Sequence, residues 1–303
     1  RMFYTLRKQI LALSPKAFVA IDYPGFNLRM HRALNRKKYP GKLIHYICPT
    51  VWAWGKRRIP LMARNLDLLL TTLPFEPACF AKTPLRAEYI GHPLTEKISL
   101  FQPDLTFRTR FGLSPTDKIL ALFPGSRAQE VDRNLSSMLE TAKKLQAKDP
   151  HLRIVISSAH ESTATSAASY LTIPVQNTYD LMSNTHLALA KSGTVVLELA
   201  LHRIPTVVQY AIRPFDVFLA TKVFKIHLPY YSIANLLLQK EVFPELFGPR
   251  LTPESLYGQA EKLWFDEEKR NYCKALCNEV WETLGTLPAS RTAAEKIVEL
   301  ISG

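Results

Sequence analysis

The alternation of short apolar runs with longer amphipathic stretches is the feature that most limits how this chain can fold. Residues 17–21 (AFVAI) and 42–47 (KLIHYI) are typical of strands, and a helical pattern around residues 27–38 lies between them. Repeated strand–helix–strand units favour parallel sheets with helices on both faces, because parallel neighbours need a long crossover connection. The same pattern predicts further strands at residues 67–71, 88–90, 119–123, 153–157, 172–175, 186–190 and 206–210.

The chain is long enough for two such domains. It has 303 residues, against roughly 150 residues for a typical domain. Residues 91–115 lack clean periodicity, so we predict a first domain at 1–115, a second at 116–285, and a C-terminal helix at 286–303. That helix crosses back to the first domain or to a partner subunit. The chain opens at Arg1 within an amphipathic pattern, so we expect the first domain to lack its first strands.

The first candidate site is a glycine turn that directly follows the predicted strand at residues 119–123. Gly125 allows close backbone approach, Ser126 can cap the next helix, and the first-turn N–H groups attract a phosphate. Arg127 adds a planar cation suited to a diphosphate, and Glu130 follows within the helix. The turn predicts either phosphate binding or a plain helix start with a surface arginine.

A second turn has the same construction. Ser192, Gly193 and Thr194 follow the predicted strand at residues 186–190 and open another helix. Two such turns in one domain favour a nucleotide-sugar site. Glu198, one turn into the helix, either bonds a sugar hydroxyl or is a first-turn acid favoured by the helix dipole.

Three more polar residues are candidates for chemistry. Asp22 ends the predicted strand at residues 17–21, where a carboxylate can act as a general base or can cap the following turn. Asn235 and Glu245 stand within apolar surroundings, so they either bond a ligand or satisfy buried backbone groups.

The charge balance favours an anionic partner. The net charge is +13, which suits a nucleic acid, an anionic membrane surface or a phosphorylated substrate. Trp52 and Trp54 precede Lys56, Arg57 and Arg58, a pattern that suits a lipid headgroup boundary or simply a solvated helix face. No apolar run has the length of about 20 residues that a membrane span needs, and the histidines form no metal-binding pattern.

Several short motifs form a recognisable set. Residues 21–27 read IDYPGFN, similar to I-D-x-P-D-F-N, and residues 45–54 read HYICPTVWAW, similar to H-Y-x-x-P-S-V-W-A-W. The set continues with LPFE at 73–76, IGHPL at 90–94, PGSR at 124–127 with Glu130, SGT at 192–194 with Glu198, and PEL at 244–246. Together they resemble the lipid-A-disaccharide synthase family across nearly the whole chain.

The resemblance implies an α/β fold of GT-B type, with two Rossmann-like, doubly wound parallel-sheet domains facing a cleft. It implies inverting, metal-independent transfer of 2,3-diacylglucosamine from UDP-2,3-diacylglucosamine to 2,3-diacylglucosamine 1-phosphate, which yields a lipid A precursor and UDP. It further implies a cytoplasmic protein at the inner face of the inner membrane of Gram-negative bacteria, and a possible homodimer without a nucleic-acid partner.

The resemblance also assigns roles to the candidates. Asp22 matches the proposed base and Arg127 an arginine important for activity. The tryptophans and basic residues at 52–58 form the membrane or acceptor surface. The donor would contact the residues of the two turns and the two late polar candidates, namely Gly125, Ser126, Arg127, Glu130, Ser192, Gly193, Thr194, Glu198, Asn235 and Glu245.

The sequence departs from the family pattern at several points. Gly25 stands where a second Asp is usual, Ala234 interrupts an S-x-P-N pattern, and Leu238 and Gln239 replace Ala-Gly. The family's opening strand and its G-E-x-S-G-D loop have no counterpart in this sequence.

Three alternatives stay open at this point. One is another GT-B enzyme acting on a nucleotide sugar, such as the N-acetylglucosaminyltransferase of peptidoglycan synthesis or a sugar 2-epimerase. Another is a basic nucleic-acid-binding module. The third is a catalytically inactive fragment that only binds UDP or membranes.

Overall fold

The computed structural model describes residues 1–53, 55–158, 169–211 and 229–302. The chain divides into two compact units. The first contains Arg1–Lys97 together with Leu284–Gly303, and the second contains Ile98–Thr283. Each unit has its own parallel sheet.

The first unit is built on a four-stranded sheet in the order β1-β2-β3-β4, with every pair parallel. The strands are β1 (Ala17–Ile21), β2 (Lys42–Tyr46), β3 (Leu68–Thr71) and β4 (Arg86–Tyr89). The helices that precede, connect and follow them are α1 (Met2–Leu13), α2 (Pro24–Arg36), α3 (Ile59–Ala63) and α4 (Pro93–Ser99), with short 3-10 turns at Lys56–Arg58 and Pro77–Phe80. All four residues of β3 are buried, as expected for an inner strand covered on both faces.

The last helix of the chain, α12 (Ala289–Ser302), packs on this first sheet. Ala293 is buried in a cluster with Ile44 and Leu70 of the sheet. A Cβ on Gly91 would come within 2.5 Å of the Leu287 carbonyl oxygen, so the returning segment passes tightly against the end of β4. Within this single chain, the helix therefore belongs to the first unit.

The second unit is built on a six-stranded parallel sheet in the order β10-β9-β8-β5-β6-β7. Its strands are β5 (Lys118–Phe123), β6 (Leu152–Ser158), β7 (Leu171–Pro174), β8 (Thr185–Lys191), β9 (Thr206–Tyr210) and β10 (Glu245–Phe247). Its helices are α5 (Phe107–Arg110), α6 (Ala128–Gln146), α7 (Thr178–Ser183), α8 (Thr194–Leu201), α9 (Ile233–Leu238), α10 (Pro253–Phe265) and α11 (Glu267–Leu284), with 3-10 turns at Val175–Asn177 and Gly248–Arg250.

Helix α6 packs on the sheet through one apolar stripe. Its buried residues Val131, Leu135, Met138, Ala142 and Leu145 recur every three or four positions and so form one apolar stripe. This stripe packs in the same core as the inward side chains of the central strands.

Residues 98–115, which we expected at the end of the first domain, lie in the second unit. The Arg108 guanidinium donates to Asn184 Oδ1 at 2.8 Å, and the backbone N–H of Asp104 donates to the Asp180 carboxylate at 2.8 Å. These polar contacts join the segment to helix α7 and the residue that follows it.

Candidate functional site

The order of the second sheet defines where its ligand site should lie. The chain forms β5, continues outward through β6 and β7, and then crosses to the other side of β5 to form β8. The carboxyl ends of β5 and β8 are therefore a topological switch point, where open α/β sheets bind their ligands. A cavity of about 380 Å³ lies at these strand ends. It is lined by Phe123, Gly125, Ser126, Arg127, Glu130, Ser157, Val175, Thr178, Lys191, Gly193, Thr194, Val195 and Glu198.

The turn after β5 needs its glycine. Gly125 has φ +131°, a conformation that side chains disfavour, and a Cβ there would lie 2.6 Å from the Glu130 Cβ. The N-cap of α6 is Arg127, and no side chain caps this helix. The expectation that Ser126 caps the helix is therefore wrong, because the chain enters the helix one residue later.

Arg127 is the exposed cation of this turn. Its side chain is 83% exposed, and its Nη1 lies 3.8 Å from Glu130 Oε1. A guanidinium held this loosely is available to an anionic ligand at the end of the cavity.

Glu130 and Lys191 connect the two turns. Lys191 Nζ lies 3.0 Å from Glu130 Oε1, and the Ser126 N–H donates to Glu130 Oε2 at 3.1 Å. Partial burial alone raises the pKa of Glu130, but the bonds from Lys191 and Ser126 outweigh it and lower that pKa below its ordinary value. We did not predict Lys191 as a site residue. The signal was present, since this cation is the last residue of β8 before the second turn.

The turn after β8 places a helix N-terminus at the cavity. Gly193 is the N-cap of α8 and lies exposed with Thr194, and no side chain caps this helix either. The first-turn N–H groups of a helix without a side-chain cap can bind an anion. Ser192 does not line the cavity, and its N–H donates to the Gln209 carbonyl oxygen at 2.9 Å.

Glu198 lines the cavity and is held by a neighbouring phenol. Tyr179 donates its hydroxyl to Glu198 Oε1 at 2.7 Å. Burial, followed by this bond, raises the pKa of Tyr179. Tyr179 was not predicted, because only the fold brings helix α7 next to α8.

The structure does not bring Asn235 and Glu245 to the cavity. Asn235 is fully buried, donates to the Phe243 carbonyl oxygen at 2.8 Å and accepts from the Phe243 N–H at 3.0 Å. Glu245 accepts the N–H groups of Tyr231 and Ser232 at 2.9 and 2.7 Å. Both residues therefore satisfy backbone groups, as the structural alternative in the sequence analysis described.

Asp22 lies exposed at the carboxyl end of β1, in the first unit. It has φ +49°, and the next residue, Tyr23, has φ +43°, so two successive non-glycine residues adopt the left-handed conformation. Tyr23 is the N-cap of α2, and no side chain caps that helix, so the Asp22 carboxylate is not a helix cap. Asn27 Nδ2 donates to the Asp22 carbonyl oxygen at 2.7 Å and fixes the turn. Strain of this kind is typical of functional positions.

The structure describes four of the five residues predicted to form the membrane surface. Trp52 is half-buried, and its indole N–H donates to Glu76 Oε1 at 3.3 Å, whereas Lys56 and Arg57 are exposed. Trp54 lies outside the described residues. Within the described ranges, no helix is long and apolar enough to cross a membrane.

In the part of the chain that the structure describes, no three His, Cys, Asp or Glu side chains come together as a group that could hold a metal ion.

Comparison with known proteins gives matches along nearly the whole chain. A family model described as lipid-A-disaccharide synthetase matches residues 2–299. The lipid-A-disaccharide synthase of Chlamydia pneumoniae is 37% identical over 290 residues, and the match covers 91% of this chain and 48% of that protein. That of Paramagnetospirillum magneticum is 34% identical over 296 residues, 95% of this chain and 76% of that protein. The chain spans about half the length of the Chlamydia relatives it matches.

Solved structures match at the level of the fold. A UDP-GlcNAc 2-epimerase from Neisseria meningitidis, solved with UDP-GlcNAc, superposes with a TM-score of 0.62 at 12% identity, over 98% of this chain and 80% of that one. A UDP complex of MnaA from S. aureus gives 0.65 at 10% identity, over 95% and 77% of the two chains. Together with the two parallel sheets, these likenesses confirm the predicted α/β fold of GT-B type with Rossmann-like units.

Proposed function

The chain belongs to the lipid-A-disaccharide synthetase family, and on this premise we propose that the protein is a glycosyltransferase of lipid A biosynthesis. It transfers 2,3-diacylglucosamine from UDP-2,3-diacylglucosamine to the 6-hydroxyl of 2,3-diacylglucosamine 1-phosphate. The products are a tetra-acyl disaccharide 1-phosphate and UDP.

One observation carries the proposal from the side of the donor: the cavity at the switch point of the second sheet. Two helices begin at this cavity, with Arg127 and Gly193 as their N-cap residues, and neither has a side-chain cap. Two cationic side chains, those of Arg127 and Lys191, also line the cavity. This combination suits the diphosphate of a nucleotide sugar. Glu198 lies in the same cavity and would accept a bond from a donor hydroxyl.

The chemistry assigned to these residues balances without a metal ion. The carboxylate of Asp22 takes the proton of the acceptor hydroxyl, the hydroxyl oxygen bonds to the anomeric carbon, and the bond from that carbon to the diphosphate breaks. Negative charge then grows on UDP, where Arg127 and the helix N-termini stabilise it with fixed positive charge. Inversion follows because the acceptor attacks from the face opposite the leaving group.

We place the reaction at the cytoplasmic face of the inner membrane. Both substrates carry acyl chains, and the chain's net charge of +13 favours an anionic surface. The exposed Lys56 and Arg57, with the half-buried Arg58, would face lipid headgroups. A homodimer is compatible with this placement, and a nucleic-acid partner is not part of the proposal.

The test is UDP release by the full-length protein, given both substrates in mixed micelles with EDTA present. We expect turnover by the wild type, a loss of about 100- to 10,000-fold for Asp22→Asn, and a loss of about 100- to 1,000-fold for Arg127→Ala. Arg291→Ala removes an exposed arginine of the last helix and is the matched control, with an unchanged rate expected.

Each outcome of this assay bears on a different part of the proposal. No UDP release by folded wild type with dispersed substrates contradicts the substrate assignment. Turnover that requires added Mg²⁺ contradicts metal independence. Full activity of Asp22→Asn contradicts its role as base.

A further inference from the structure

A carboxylate occupies the position where a phosphate would approach the glycine turn. Glu130 Oε2 accepts the Ser126 N–H at 3.1 Å and would lie 2.7 Å from a Cβ on Gly125. The carboxylate therefore sits directly over the turn and uses an N–H group that the turn offers to an anion. Two anions cannot share that N–H group without strong repulsion in a half-buried cavity.

The side chain of Lys191 is held in position next to the glycine turn, where it could also bind a phosphate. Its side chain is 15% exposed, its Nζ lies 3.0 Å from Glu130 Oε1, and it stands 5.0 Å from the centre of the Tyr210 ring. The residue is the last of β8, so its backbone is fixed by the sheet. A lysine held in this way loses little conformational entropy when it changes partner.

We infer that Lys191 is a diphosphate-binding residue whose resting counter-ion is Glu130, and that the incoming donor diphosphate displaces the Glu130 carboxylate. The inference rests on the proposed function and goes beyond it in two respects. It adds Lys191 to the donor site, and it changes the role of Glu130 from a direct donor contact to an internal substitute for phosphate.

The exchange explains the arrangement of charges. An unpaired lysine at this depth would be costly without an anion, and Glu130 neutralises it while the site is empty. When the diphosphate enters, Lys191 Nζ and the Ser126 N–H keep an anionic partner, and the freed carboxylate turns toward solvent or the exposed Arg127. Lys191 therefore has an anionic partner both with and without ligand.

The test is calorimetric titration of the full-length protein with UDP and, separately, with uridine, which lacks the diphosphate. We expect Lys191→Met to weaken UDP binding by about tenfold or more, as for a lost charged hydrogen bond, and to leave uridine binding unchanged. Glu130→Gln removes the competing charge, so we expect it to bind UDP at least threefold more tightly. Lys240→Met removes a lysine that pairs with Glu279 away from the cavity and should match wild type.

The results separate this inference from the function it rests on. Wild type that binds no UDP contradicts the nucleotide-sugar site itself. Wild type that binds UDP, with Lys191→Met binding equally well, overturns the role of Lys191. Weaker UDP binding by Glu130→Gln overturns the displacement and returns Glu130 to direct contact. If Lys191→Met does not fold, Lys191→Gln replaces it in the experiment, because the glutamine amide can still donate a hydrogen bond to Glu130. Wild-type UDP affinity of Lys191→Gln would equally overturn the inference.

Discussion

At the scale of single residues, Gly125 gives a sharp test of the phosphate turn. A methyl group there would lie 2.6 Å from the Glu130 Cβ, and φ is +131°, so alanine must shift both the turn and the carboxylate. We expect Gly125→Ala to lower the free energy of unfolding by about 1–3 kcal/mol and to weaken UDP binding by about tenfold or more.

Gly258 is the matched control for this substitution. It lies inside helix α10, and among the described residues no atom other than those of its chain neighbours and its own helix backbone lies within 4 Å of the position its Cβ would take. Alanine there should leave UDP binding unchanged and raise stability by up to about 1 kcal/mol. Urea unfolding and UDP titration of both variants provide the check. Equal UDP affinity of Gly125→Ala and wild type would contradict a role for this turn in phosphate binding.

Some residues of the site could be predicted from the sequence, and others could not. Gly125 and Gly193 were predictable because a glycine after an apolar run signals a turn into a helix. The position of Lys191 at the end of a strand was also visible in the sequence, but its pairing with Glu130 was not, since the two residues are distant in sequence and close only after β5 and β8 pair. Asn235 shows the opposite case, because a polar residue among apolar ones has the same sequence pattern whether it binds a ligand or the Phe243 backbone.

At the scale of elements, Asn235 connects helix α9 to the residues before β10. Its amide meets both backbone polar groups of Phe243, and all three groups are buried. Asn235→Ala would leave a buried N–H and a buried C=O without partners, so we expect a loss of about 2–4 kcal/mol of unfolding free energy. Asn35→Ala removes an exposed amide of α2 and should cost less than about 1 kcal/mol.

Urea unfolding of the two asparagine variants distinguishes the roles. If Asn235→Ala is as stable as wild type but loses UDP affinity, the residue is a ligand contact rather than a structural one. If Asn235→Ala loses stability but binds UDP with wild-type affinity under conditions in which it is fully folded, the role of Asn235 is to hold α9 and β10 together.

The elements themselves differ in how predictable they were. The central strands were readable because β3, β5 and β8 are buried on both faces and so are almost continuously apolar. Strand β10 was missed, since its three residues begin with Glu245 and depend on pairing with β9 rather than on their own composition. Helix α9 was missed for a related reason, because six residues give little periodicity.

At the scale of the whole molecule, the sequence indicated two sheets, because the strand pattern resumes at residues 119–123 after the irregular residues 91–115. The residues at which one unit ends and the other begins could not be predicted from the sequence. This boundary depends on contacts between distant segments, such as Gly91 against Leu287 in the first unit and Arg108 with Asn184 in the second. Hydrophobic periodicity describes a segment's own faces and does not identify the distant partner that a face meets.

Histidines of both units make stability depend on pH. Burial lowers the pKa of His31 to about 3 and the pKa values of His45, His92, His186 and His202 to about 4, against an ordinary value of 6.5. Between pH 6.5 and these values the unfolded chain binds protons that the folded chain does not, so the free energy of unfolding falls as the pH falls.

One buried acid opposes this trend. Burial raises the pKa of Glu76 to about 7, despite its bonds to Leu73, Trp52 and Thr72, so its folded form binds the extra proton as the pH falls and gains stability. A single carboxyl group acting against five imidazoles leaves the histidines dominant between pH 7 and pH 5.

We therefore expect the free energy of unfolding to be lower at pH 5 than at pH 7, by on the order of 4 kcal/mol from His31 and His45 alone. These two rings are fully buried, and among the described residues neither His31 Nδ1 nor His45 Nε2 has a hydrogen-bond partner that would stabilise a proton there. His31→Phe keeps an aromatic ring against Phe18 and should lose about half of this part of the pH dependence. His151→Gln, at an exposed position, should keep all of it. Urea unfolding at both pH values measures each difference, and a wild-type stability that does not change from pH 7 to pH 5 would show that the folded chain binds these protons as readily as the unfolded one.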